Sequence, residues 1–409
     1  MSETTLLPAG VVIVGGGQSA AVAARTLRRK KYTGPITVLG AEPHRPYQRP
    51  PLSKEYLADA GASIDLLPED WTSAQDVTVR TDVTVERIED GPVVVTTEGE
   101  RLPADAVLLA TGGSPRTLGG VTGERIHHLR TRDDADRLRA AMAGSTRLAI
   151  VGGGFIGAEI ASAAREAGLE VTVIEAAAQP MLRALGDDLA RVCARLQEAK
   201  GVDLRLSTAV LDIHETDNGV VVETDQGEVH ADHVVVAIGI VPDTAVAEAS
   251  GIACDNGILV DASGRTSMPG VWAAGDVANQ DHPQVDGRIR VEHFDSASKQ
   301  ASVAAQSMLG ADASHSDPHW YWSDQFGMNL QGVGHPEPGD EMVVRGDIDS
   351  ESFTAFFIRQ GVVSAVFSLN DEETIGLARE LVNMSASVPT ELLIDPERDL
   401  FEALEGAAS

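Results

Sequence analysis

The sequence predicts an α/β protein in which one βαβ plan occurs twice and a smaller α+β domain follows. Two glycine-rich turns, Gly15-Gly16-Gly17 and Gly152-Gly153-Gly154, each follow a short apolar run and lead at once into a helical pattern. In such a turn the first glycine allows a tight bend, the second lets a pyrophosphate approach the backbone, and a third position lets helix pack on strand. Both halves are therefore predicted to be Rossmann-like dinucleotide-binding domains.

The first half reads in order as strand, helix and strand, followed by a β-rich stretch and a further apolar strand. The predicted elements are a strand at Val11–Val14, a helix from about Ser19 to Lys31, and strands at Ile36–Leu39, Val77–Ile88, Val93–Thr97 and Ala106–Ala110. Short apolar runs of this length, bounded by glycine and proline, are typical of buried parallel strands.

The second half repeats this plan, and a different pattern follows it. Its predicted elements are strands at Leu148–Val151, Val171–Ile174, Val220–Glu223 and Val234–Ile238, with a helix from about Ile156 to Ala167. Three strand-like runs (Met342–Arg345, Ser352–Arg359, Val362–Ser368) and a helix over about Glu372–Met384 predict the α+β domain. We therefore predict one dinucleotide-binding domain from residues 1–113 and 239–318, a second from 114–238, and an α+β domain from 319–409.

Composition excludes several classes of function. The formal charge of −30 argues against nucleic-acid and anionic-membrane partners. No apolar run approaches the roughly 18 residues of a membrane span, and the N-terminus has no basic segment, so a cytoplasmic location is predicted. The two cysteines, Cys193 and Cys254, are far apart, and Cys193 continues an apolar helical stripe. No disulfide, redox pair or metal site is predicted.

The residue after each second strand indicates which dinucleotide each half prefers. Glu175 ends the run VTVIE, where an acid can bind the adenosine ribose hydroxyls and repel a 2′-phosphate. No Arg or Lys follows until Arg183, so NADH is predicted over NADPH at the second site. At the first site Gly40 occupies the matching position, and Glu42 is the candidate for the ribose contact.

Several motifs, in order along essentially the whole chain, resemble one family. They are RPPLSK at 49–54, ATGG at 110–113, LRT at 129–131, GGGFIGAE at 152–159, AAGDVA at 273–278 and WYWSDQ at 320–325. The chain thus resembles the FAD- and NADH-dependent ferredoxin reductases of bacterial cytochrome P450 and aromatic-ring dioxygenase systems. That resemblance implies two glutathione-reductase-like dinucleotide-binding domains and a C-terminal α+β domain.

The resemblance also implies which residues bind the cofactors. It places FAD in the first half, with its pyrophosphate near Gly15, Gly17 and Ser19, and NADH in the second half. The remaining residues predicted to contact FAD are Glu42, Arg49, Lys54, Val85, Arg130, Asp276, Phe294 and Trp320. Those predicted to bind NADH are Gly152, Gly154, Ile156, Gly157, Glu175 and Gly239. A helix beginning near Ser296 is expected to point its N-terminus at the flavin and stabilise the reduced ring.

Lys54 and Glu159 are the candidate catalytic residues. A Lys–Glu pair beside the flavin would hold charge in place during hydride transfer, with Glu159 expected at the start of its helix. The alternative for Glu159 is an ordinary helix-start carboxylate favoured by the dipole. His293 is interpreted as structural, because hydride transfer needs no general base. The basic run Arg28–Lys31 ends a helix, where the dipole favours cations. It is a candidate functional surface, and the alternative interpretation is an ordinary solvated helix face.

The predicted function is transfer of electrons from NADH through FAD to a [2Fe–2S] ferredoxin that feeds a P450 or a ring-hydroxylating oxygenase. The ferredoxin is expected to dock near Trp322, steered by a local basic patch. Candidates for that patch are Arg45, Arg288, Arg290 and the Arg28–Lys31 run. Monomer or weak homodimer is the predicted state.

Other functions on the same fold remain open. A disulfide or peroxide reductase needs a redox cysteine near the flavin, and no cysteine precedes position 193. A nicotinamide-sensing flavoprotein, similar to apoptosis-inducing factor, and an NADH oxidase are alternatives that the sequence does not eliminate.

Overall fold

The computed structural model describes residues 7–285 and 287–407, which form two compact units. Unit 1 contains the described residues up to Arg49 together with Ser63–Ser114 and Val241–His319. Unit 2 contains Pro50–Ala62, Pro115–Ile240 and the described residues from Trp320 onward. Pro50–Ala62 thus groups with the second half of the chain. The three-domain division remains a prediction.

The strands are short, as expected for a chain of mixed α/β type. In chain order they are β1 (Val11–Val14), β2 (Ile36–Leu39), β3 (Val77–Arg80), β4 (Val85–Glu89), β5 (Val93–Thr96), β6 (Arg101–Pro103), β7 (Ala106–Leu109), β8 (Gly113–Pro115), β9 (Ile126–His127), β10 (Arg147–Val151), β11 (Glu170–Ile174), β12 (Asp203–Arg205), β13 (Val210–Thr216), β14 (Gly219–Thr224), β15 (Gly227–Ala231), β16 (His233–Val236), β17 (Ile240–Pro242), β18 (Ile258–Val260), β19 (Val271–Ala273), β20 (Ala278–Asp281), β21 (Arg288–Arg290), β22 (Trp320–Gln325), β23 (Met328–Gly334), β24 (Glu341–Gly346), β25 (Phe353–Arg359) and β26 (Val362–Leu369).

The helices vary in length from one turn to five. They are α1 (Gln18–Arg29), α2 (Glu55–Ala58), α3 (Glu69–Ala74), α4 (Arg132–Ala143), α5 (Phe155–Glu166), α6 (Leu182–Ala199), α7 (Ala245–Ala249), α8 (Phe294–Met308), α9 (Glu372–Asn383), α10 (Thr390–Ile394) and α11 (Phe401–Ala407). A 3₁₀ turn covers Pro50–Ser53. Within the described residues, no helix is long and apolar enough to span a membrane.

Unit 1 is built on a parallel sheet with strand order β19-β7-β1-β2-β3. The register pairs Val11 of β1 with Ile36 of β2 and with Ala106 of β7. Helices α1 and α8 lie together and join one apolar core cluster with the sheet. A β4-β5-β6 antiparallel sheet and the β18-β20-β21 sheet complete the unit.

Unit 2 repeats the parallel sheet, with strand order β12-β11-β10-β16-β9. Leu148 of β10 pairs with Val171 of β11 and His233 of β16, which matches the register of the first half. The C-terminal strands form an antiparallel sheet ordered β22-β23-β26-β25-β24. Its apolar residues share a core cluster with α6, so the α+β segment packs directly on the second half. The predicted α/β class with two parallel sheets is confirmed.

Two element boundaries differ from the expected ones. The predicted strand Val77–Ile88 is two strands, β3 and β4, because Asp82 adopts a left-handed backbone (φ 57°) between them. Helix α8 begins at Phe294, two residues before the predicted start, with His293 at its N-cap.

Neither cysteine has the environment of a reactive thiol. Cys193 lies on the buried side of α6, where burial raises its pKa to about 12. Burial, followed by the nearby charge of Glu248, raises the pKa of the half-buried Cys254. Thiolates are disfavoured at both positions, which supports the structural interpretation of Cys193.

Candidate functional site

The first glycine turn lies between β1 and α1 in unit 1. Gly15 has a φ of 134°, and a Cβ added there would lie 2.1 Å from the carbonyl oxygen of Ala110, which directly follows the neighbouring strand β7. Only glycine fits this position. At Gly17, by contrast, an added Cβ would meet no atom within 4 Å. Protein packing therefore does not require glycine there, and the open space leaves room for a ligand to approach the backbone.

The second glycine turn, between β10 and α5 in unit 2, repeats this division of roles. A Cβ on Gly152 (φ 106°) would lie 2.4 Å from the carbonyl oxygen of Ala237. One on Gly157 would lie 2.1 Å from the carbonyl oxygen of Gly152, whereas one on Gly154 would meet nothing within 4 Å. The three positions thus match the turn, ligand-approach and helix-packing roles of a dinucleotide fingerprint. In the first half Ala20, fully buried, takes the packing role.

The helices that follow the glycine turns begin differently from α4 and α9. Thr131 caps α4 in a reciprocal capping box with Asp134, and the Asp371 side chain caps α9. Within the described residues, α1 and α5 start at glycine N-caps, with no side-chain cap and no acid in the first turn. Their N-terminal amides and dipoles can therefore receive an anionic group such as a pyrophosphate.

Glu175 follows the last residue of β11 directly, and two backbone amides hold its carboxylate. Oε2 accepts a hydrogen bond from Gly153 N at 2.6 Å, and Oε1 accepts one from Ala177 N at 2.7 Å. The carboxylate is thus fixed against the glycine turn. An acid in this place is positioned to accept hydrogen bonds from ribose hydroxyls.

Glu42, the matching candidate of the first half, has different partners. Its carboxylate forms an ion pair with Arg49 Nη2 at 2.6 Å and also accepts from the Tyr47 hydroxyl. Burial alone would lower the pKa of Arg49, but Tyr47, Glu42 and Asp276 raise it. The structure therefore brings together Glu42, Arg49 and Asp276, which are three of the predicted contacts to the first cofactor.

Side chains connect the N-terminal ends of α1 and α8. Ser19 Oγ donates to the carbonyl oxygen of Ala297, and Gln18 Nε2 donates to Ser298 Oγ. Gly275 N, in the AAGD segment, donates to Gln300 Oε1. Two helix N-termini and the segment carrying Asp276 are therefore neighbours within unit 1. Phe294 is the first residue of α8.

Lys54 and Glu159 form a buried ion pair in unit 2. Lys54 Nζ lies 2.9 Å from Glu159 Oε1, and their side chains are 14% and 3% exposed. The hydroxyls of Ser53 and Ser323 both donate to the same carboxylate. Glu159 lies in the second turn of α5, which begins at Phe155, so the expectation that it starts the helix was wrong.

The two serines were not identified from the sequence. Each lies within a motif quoted for the resemblance, RPPLSK and WYWSDQ, but serine is common and its partner is distant in sequence. The four-residue network satisfies a carboxylate that would otherwise be costly to bury.

A tryptophan pair lies at the start of β22. The rings of Trp320 and Trp322 stack with centroids 5.0 Å apart, and the guanidinium of Arg379 lies 4.8 Å from the Trp320 ring centroid. Trp320 Nε1 donates to Gln331 Oε1. Lys54 Nζ lies 5.9 Å from the Trp322 ring centroid, which joins this pair to the Lys54–Glu159 network.

The remaining predicted site residues belong to separate elements of the two units. Val85 begins β4 and its side chain is buried in an apolar cluster. The Arg130 backbone amide donates to Asp134 just before α4. Ile156, in the first turn of α5, is 44% exposed, which is unusual for an isoleucine beside a buried helix face. Gly239 follows the strand-end segment with a φ of 94°.

The arginines expected to steer a partner are held by the protein's own backbone. Arg28 donates to the carbonyl oxygens of Gln75, Tyr32, Gly34 and Asp76. Three further arginines also donate to backbone oxygens. Arg45 donates to that of Leu67, Arg288 to those of Val260 and Asn279, and Arg290 to that of Asp276. Arg290 is only 8% exposed in its side chain. Their backbone hydrogen bonds mean that a charge reversal at these positions would disturb local structure as well as charge, and their part in steering a partner remains a prediction.

Comparison with known proteins agrees with this geometry. The family model described as pyridine nucleotide-disulphide oxidoreductase matches residues 9–307, and a reductase C-terminal model matches residues 320–404. The chain belongs to the pyridine nucleotide-disulphide oxidoreductase family. It is an oxidoreductase.

Members of the family with similar sequences cover nearly the whole chain. The chain is 39% identical over 94% of its length to the ferredoxin–NAD(+) reductase component of an anthranilate 1,2-dioxygenase system from Burkholderia cepacia, 97% of which is covered. It is 37% identical over 96% of its length to rhodocoxin reductase from Rhodococcus erythropolis, 94% of which is covered. The resemblance inferred from the motifs is therefore confirmed.

A solved structure of the family shows the same fold. The reductase in a covalent putidaredoxin reductase–putidaredoxin complex superposes with a TM-score of 0.94 at 31% identity, covering 98% of this chain and 99% of that one. The predicted fold class of two dinucleotide-binding halves and a C-terminal domain agrees with this match.

Proposed function

We propose that this protein is a ferredoxin reductase that passes electrons from NADH through FAD to a [2Fe–2S] ferredoxin. The observation that carries the proposal is the pair of glycine cradles. Each combines an open second glycine with a helix start that lacks a side-chain cap among the described residues, and two such cradles fit two dinucleotides.

FAD is assigned to the first cradle. Gly15, Gly17 and Ser19 would hold its pyrophosphate, and Asp276 with the Glu42–Arg49 pair would hold its polar chain. Val85, Arg130, Phe294 and Trp320 are the other proposed contacts. The start of α8 offers a positive dipole end to an anionic group. When bound, FAD accepts two electrons together and releases them one at a time.

NADH is assigned to the second cradle. Gly152, Gly154, Ile156, Gly157 and Gly239 would line it, and the fixed carboxylate of Glu175 would accept hydrogen bonds from the adenosine ribose. A 2′-phosphate in the same place would meet that carboxylate, and Ala176, Ala177 and Ala178 offer no cation. NADH is therefore the preferred donor.

Lys54 and Glu159 are assigned a charge-holding role at the redox centre. Glu159 fixes the Lys54 ammonium at 2.9 Å, and the two serine hydroxyls fix Glu159 in turn. A positive charge held in a buried site stabilises developing negative charge without the reorganisation that water would require.

The ferredoxin partner is proposed from the relatives and from the tryptophan pair. Several curated relatives are named as ferredoxin reductase components of dioxygenase systems, and rhodocoxin reductase is a further relative. The oxygenase fed by this protein is proposed to be a ring-hydroxylating oxygenase or a P450. A cytoplasmic location and a monomer or weak homodimer complete the proposal.

Lys30 and Lys31, the exposed end of the basic run, are the proposed contribution of unit 1 to ferredoxin steering. Opposite charges across a docking surface raise association rates even when net charges repel. Lys30→Glu/Lys31→Glu should therefore raise the KM for ferredoxin severalfold. NADH–ferricyanide activity, which bypasses docking, should stay unchanged.

The deciding experiment is NADH-driven reduction of candidate [2Fe–2S] ferredoxins, followed through cytochrome c. The purified protein should be yellow, carry one FAD per chain and turn over repeatedly. A colourless protein that takes up no FAD would refute the proposal. A long-lived reduced complex without ferredoxin turnover would favour the nicotinamide-sensing alternative, and rapid oxygen consumption without a ferredoxin would favour an NADH oxidase.

A further inference from the structure

Three buried histidines lie together in unit 1, apart from the residues assigned above. His282, His315 and His319 are 1%, 3% and 2% exposed. His282 follows β20, whereas the other two belong to the segment between α8 and β22. Each residue offers one ring nitrogen, and these three nitrogens lie within 4.8 Å of one another. Ring centroids are 4.5 Å apart for His282 and His319 and 5.2 Å apart for His282 and His315.

A network of buried glutamines fixes the ring of His315. Gln280 Nε2 donates to the backbone oxygen of His315 at 2.7 Å, and Gln280 Oε1 accepts from Gln300 Nε2 at 3.1 Å. The same Oε1 lies 3.0 Å from His315 Nδ1. An amide oxygen can only accept, so Nδ1 carries the proton and Nε2 keeps a lone pair. Metal-binding histidines are held in this tautomer by an acceptor at the other ring nitrogen.

Two ring nitrogens of the cluster stay unsatisfied within the described part of the chain. Within the described residues, Nε2 of His282 and Nε2 of His315 are buried and have no partner. Gln284 N lies 3.3 Å from His282 Nδ1, and the backbone of Asp317 also hydrogen-bonds the ring. Metal binding through Nε2 requires the His282 proton on Nδ1, where it would donate to a backbone carbonyl instead of accepting from Gln284 N. Buried polar atoms are nearly always satisfied, so two orphaned nitrogens in one cluster call for a missing partner.

Burial of the cluster favours neutral imidazoles. Burial lowers the pKa of His315 to about 4, with further lowering by His282 and Lys299 and an opposing effect of Asp317. Burial also lowers the pKa of His282, opposed by the Asp317 backbone and charge. Lys299 is itself paired with Asp295 and Asp317. Neutral imidazole is the form that binds metal ions.

We propose that His282, His315 and His319 bind one transition-metal ion, with Zn²⁺ as the favoured ion. Three imidazoles leave a fourth position for water in the tetrahedral geometry that Zn²⁺ prefers. The site would join the end of β20 to the 311–319 segment and so fix the end of unit 1. This inference stands independently of the proposed function. It replaces the expectation, drawn from the sequence, that the chain has no metal site.

The sequence did not reveal the cluster because its spacing matches no metal-binding motif. His315 and His319 are four positions apart, but His282 lies 33 residues before His315 and on another segment. Only the pairing of β20 with its neighbours brings the third ring into place.

The test measures Zn²⁺ binding to the purified full-length protein after treatment with a chelator. Equilibrium dialysis with elemental analysis should give one Zn²⁺ per chain, and competition with a chromophoric chelator gives the affinity. His315→Gln should weaken binding at least about 100-fold. Gln280→Ala removes only the orienting acceptor and should weaken binding by about 10- to 100-fold.

A matched control uses the other cluster that offers metal-ligand atoms. Asp212, His214 and Glu223 are neighbours but lie at the surface. His214→Gln should leave Zn²⁺ stoichiometry and affinity unchanged. Added Zn²⁺ should raise the thermal midpoint of the wild type and not of His315→Gln. The inference is overturned if the wild type binds no Zn²⁺, or if His214→Gln abolishes binding and His315→Gln does not. Correct folding of each variant is verified by circular dichroism.

Discussion

The two glycine-turn halves share one backbone plan but place their acidic residues differently. Sheet order, register and the steric demand on the first glycine are the same in both. After the second strand, however, Glu175 is held by backbone amides beside its glycine turn, whereas Glu42 is paired with Arg49 and Tyr47. Shared architecture therefore does not imply shared recognition chemistry. A carboxylate held by amides still has lone pairs for a ribose, whereas one paired with arginine serves first to position that arginine.

A second difference lies inside the helices. Where α5 carries Glu159, the position equivalent relative to the glycine turn in α1 is Val22, which packs on the core of the first half. The second half thus buries a charged side chain where the first half has a partly buried valine. Burying a charge is costly unless it is paired, and Lys54 with two serines supplies the pairing.

The largest expected effect comes from removing that pairing. Lys54→Met leaves the Glu159 carboxylate, 3% exposed, without its counter-ion. Breaking a buried pair from one side costs about 3–5 kcal/mol, so the denaturant midpoint should fall sharply. Chemical denaturation followed by circular dichroism measures the change.

The double variant Lys54→Met/Glu159→Gln separates stability from function. Its neutral amide keeps hydrogen-bond partners without a buried charge, so most of the lost stability should return. NADH–ferricyanide activity should stay low, because the held positive charge is absent. If the double variant recovers both stability and NADH–ferricyanide activity, the Lys54–Glu159 pair has a structural role only.

Next in size is the contrast between the first and second glycines of a turn. Gly15→Ala forces a positive φ on alanine and drives its Cβ to 2.1 Å from a carbonyl oxygen, which should cost about 3 kcal/mol of stability. Gly17→Ala adds a methyl group into open space, so stability should change by less than about 1 kcal/mol. Gly17→Ala should instead lose FAD during gel filtration. Equal stability loss in the two variants would contradict the division of roles.

These contrasts show what the sequence could predict. The glycine turns, most strand positions and the Lys54–Glu159 pair follow from local pattern or from family motifs. Ser53 and Ser323 could not be found that way, because a hydroxyl becomes informative only when folding brings it to a carboxylate. The backbone hydrogen bonds of Arg28, Arg45, Arg288 and Arg290 could not be predicted for the same reason. Sequence shows a cation, but whether backbone carbonyls surround it depends on tertiary structure.

The third effect concerns cofactor preference. A charge-assisted contact is worth about 1.5–3 kcal/mol, so NADH should exceed NADPH in kcat/KM by tenfold to a hundredfold or more. Glu175→Ala/Ala176→Arg removes the opposing carboxylate and adds a cation, and should narrow that ratio. Glu42→Gln, the matched change in the first half, should leave the ratio unaltered. Equal use of NADH and NADPH by the wild type would show that Glu175 does not bind the adenosine ribose hydroxyls.

The smallest expected effect is a pH dependence of stability that comes from a histidine pair in the second parallel sheet. His233 of β16 occupies the place of Ala106 in β7, and its Nδ1 lies 3.0 Å from His127 Nε2 on β9. Burial, followed by the charge of His233, lowers the pKa of the buried His127 to about 4. Burial also lowers the pKa of His233. The first half has no titratable pair at the equivalent position, since alanine stands there.

Acidification should therefore weaken the second half through this pair. The unfolded chain protonates His127 near pH 6.5, whereas the folded chain protonates it only near pH 4, so the unfolded state binds more protons between these values. The contribution is fully present above about pH 6.5 and is lost as the pH falls toward 4. From pH 7 to pH 5 it should cost about 1–2 kcal/mol. His127→Phe, which cannot titrate, should show a shallower fall in urea midpoint over this range. Parallel pH profiles for variant and wild type would place the titrating groups elsewhere.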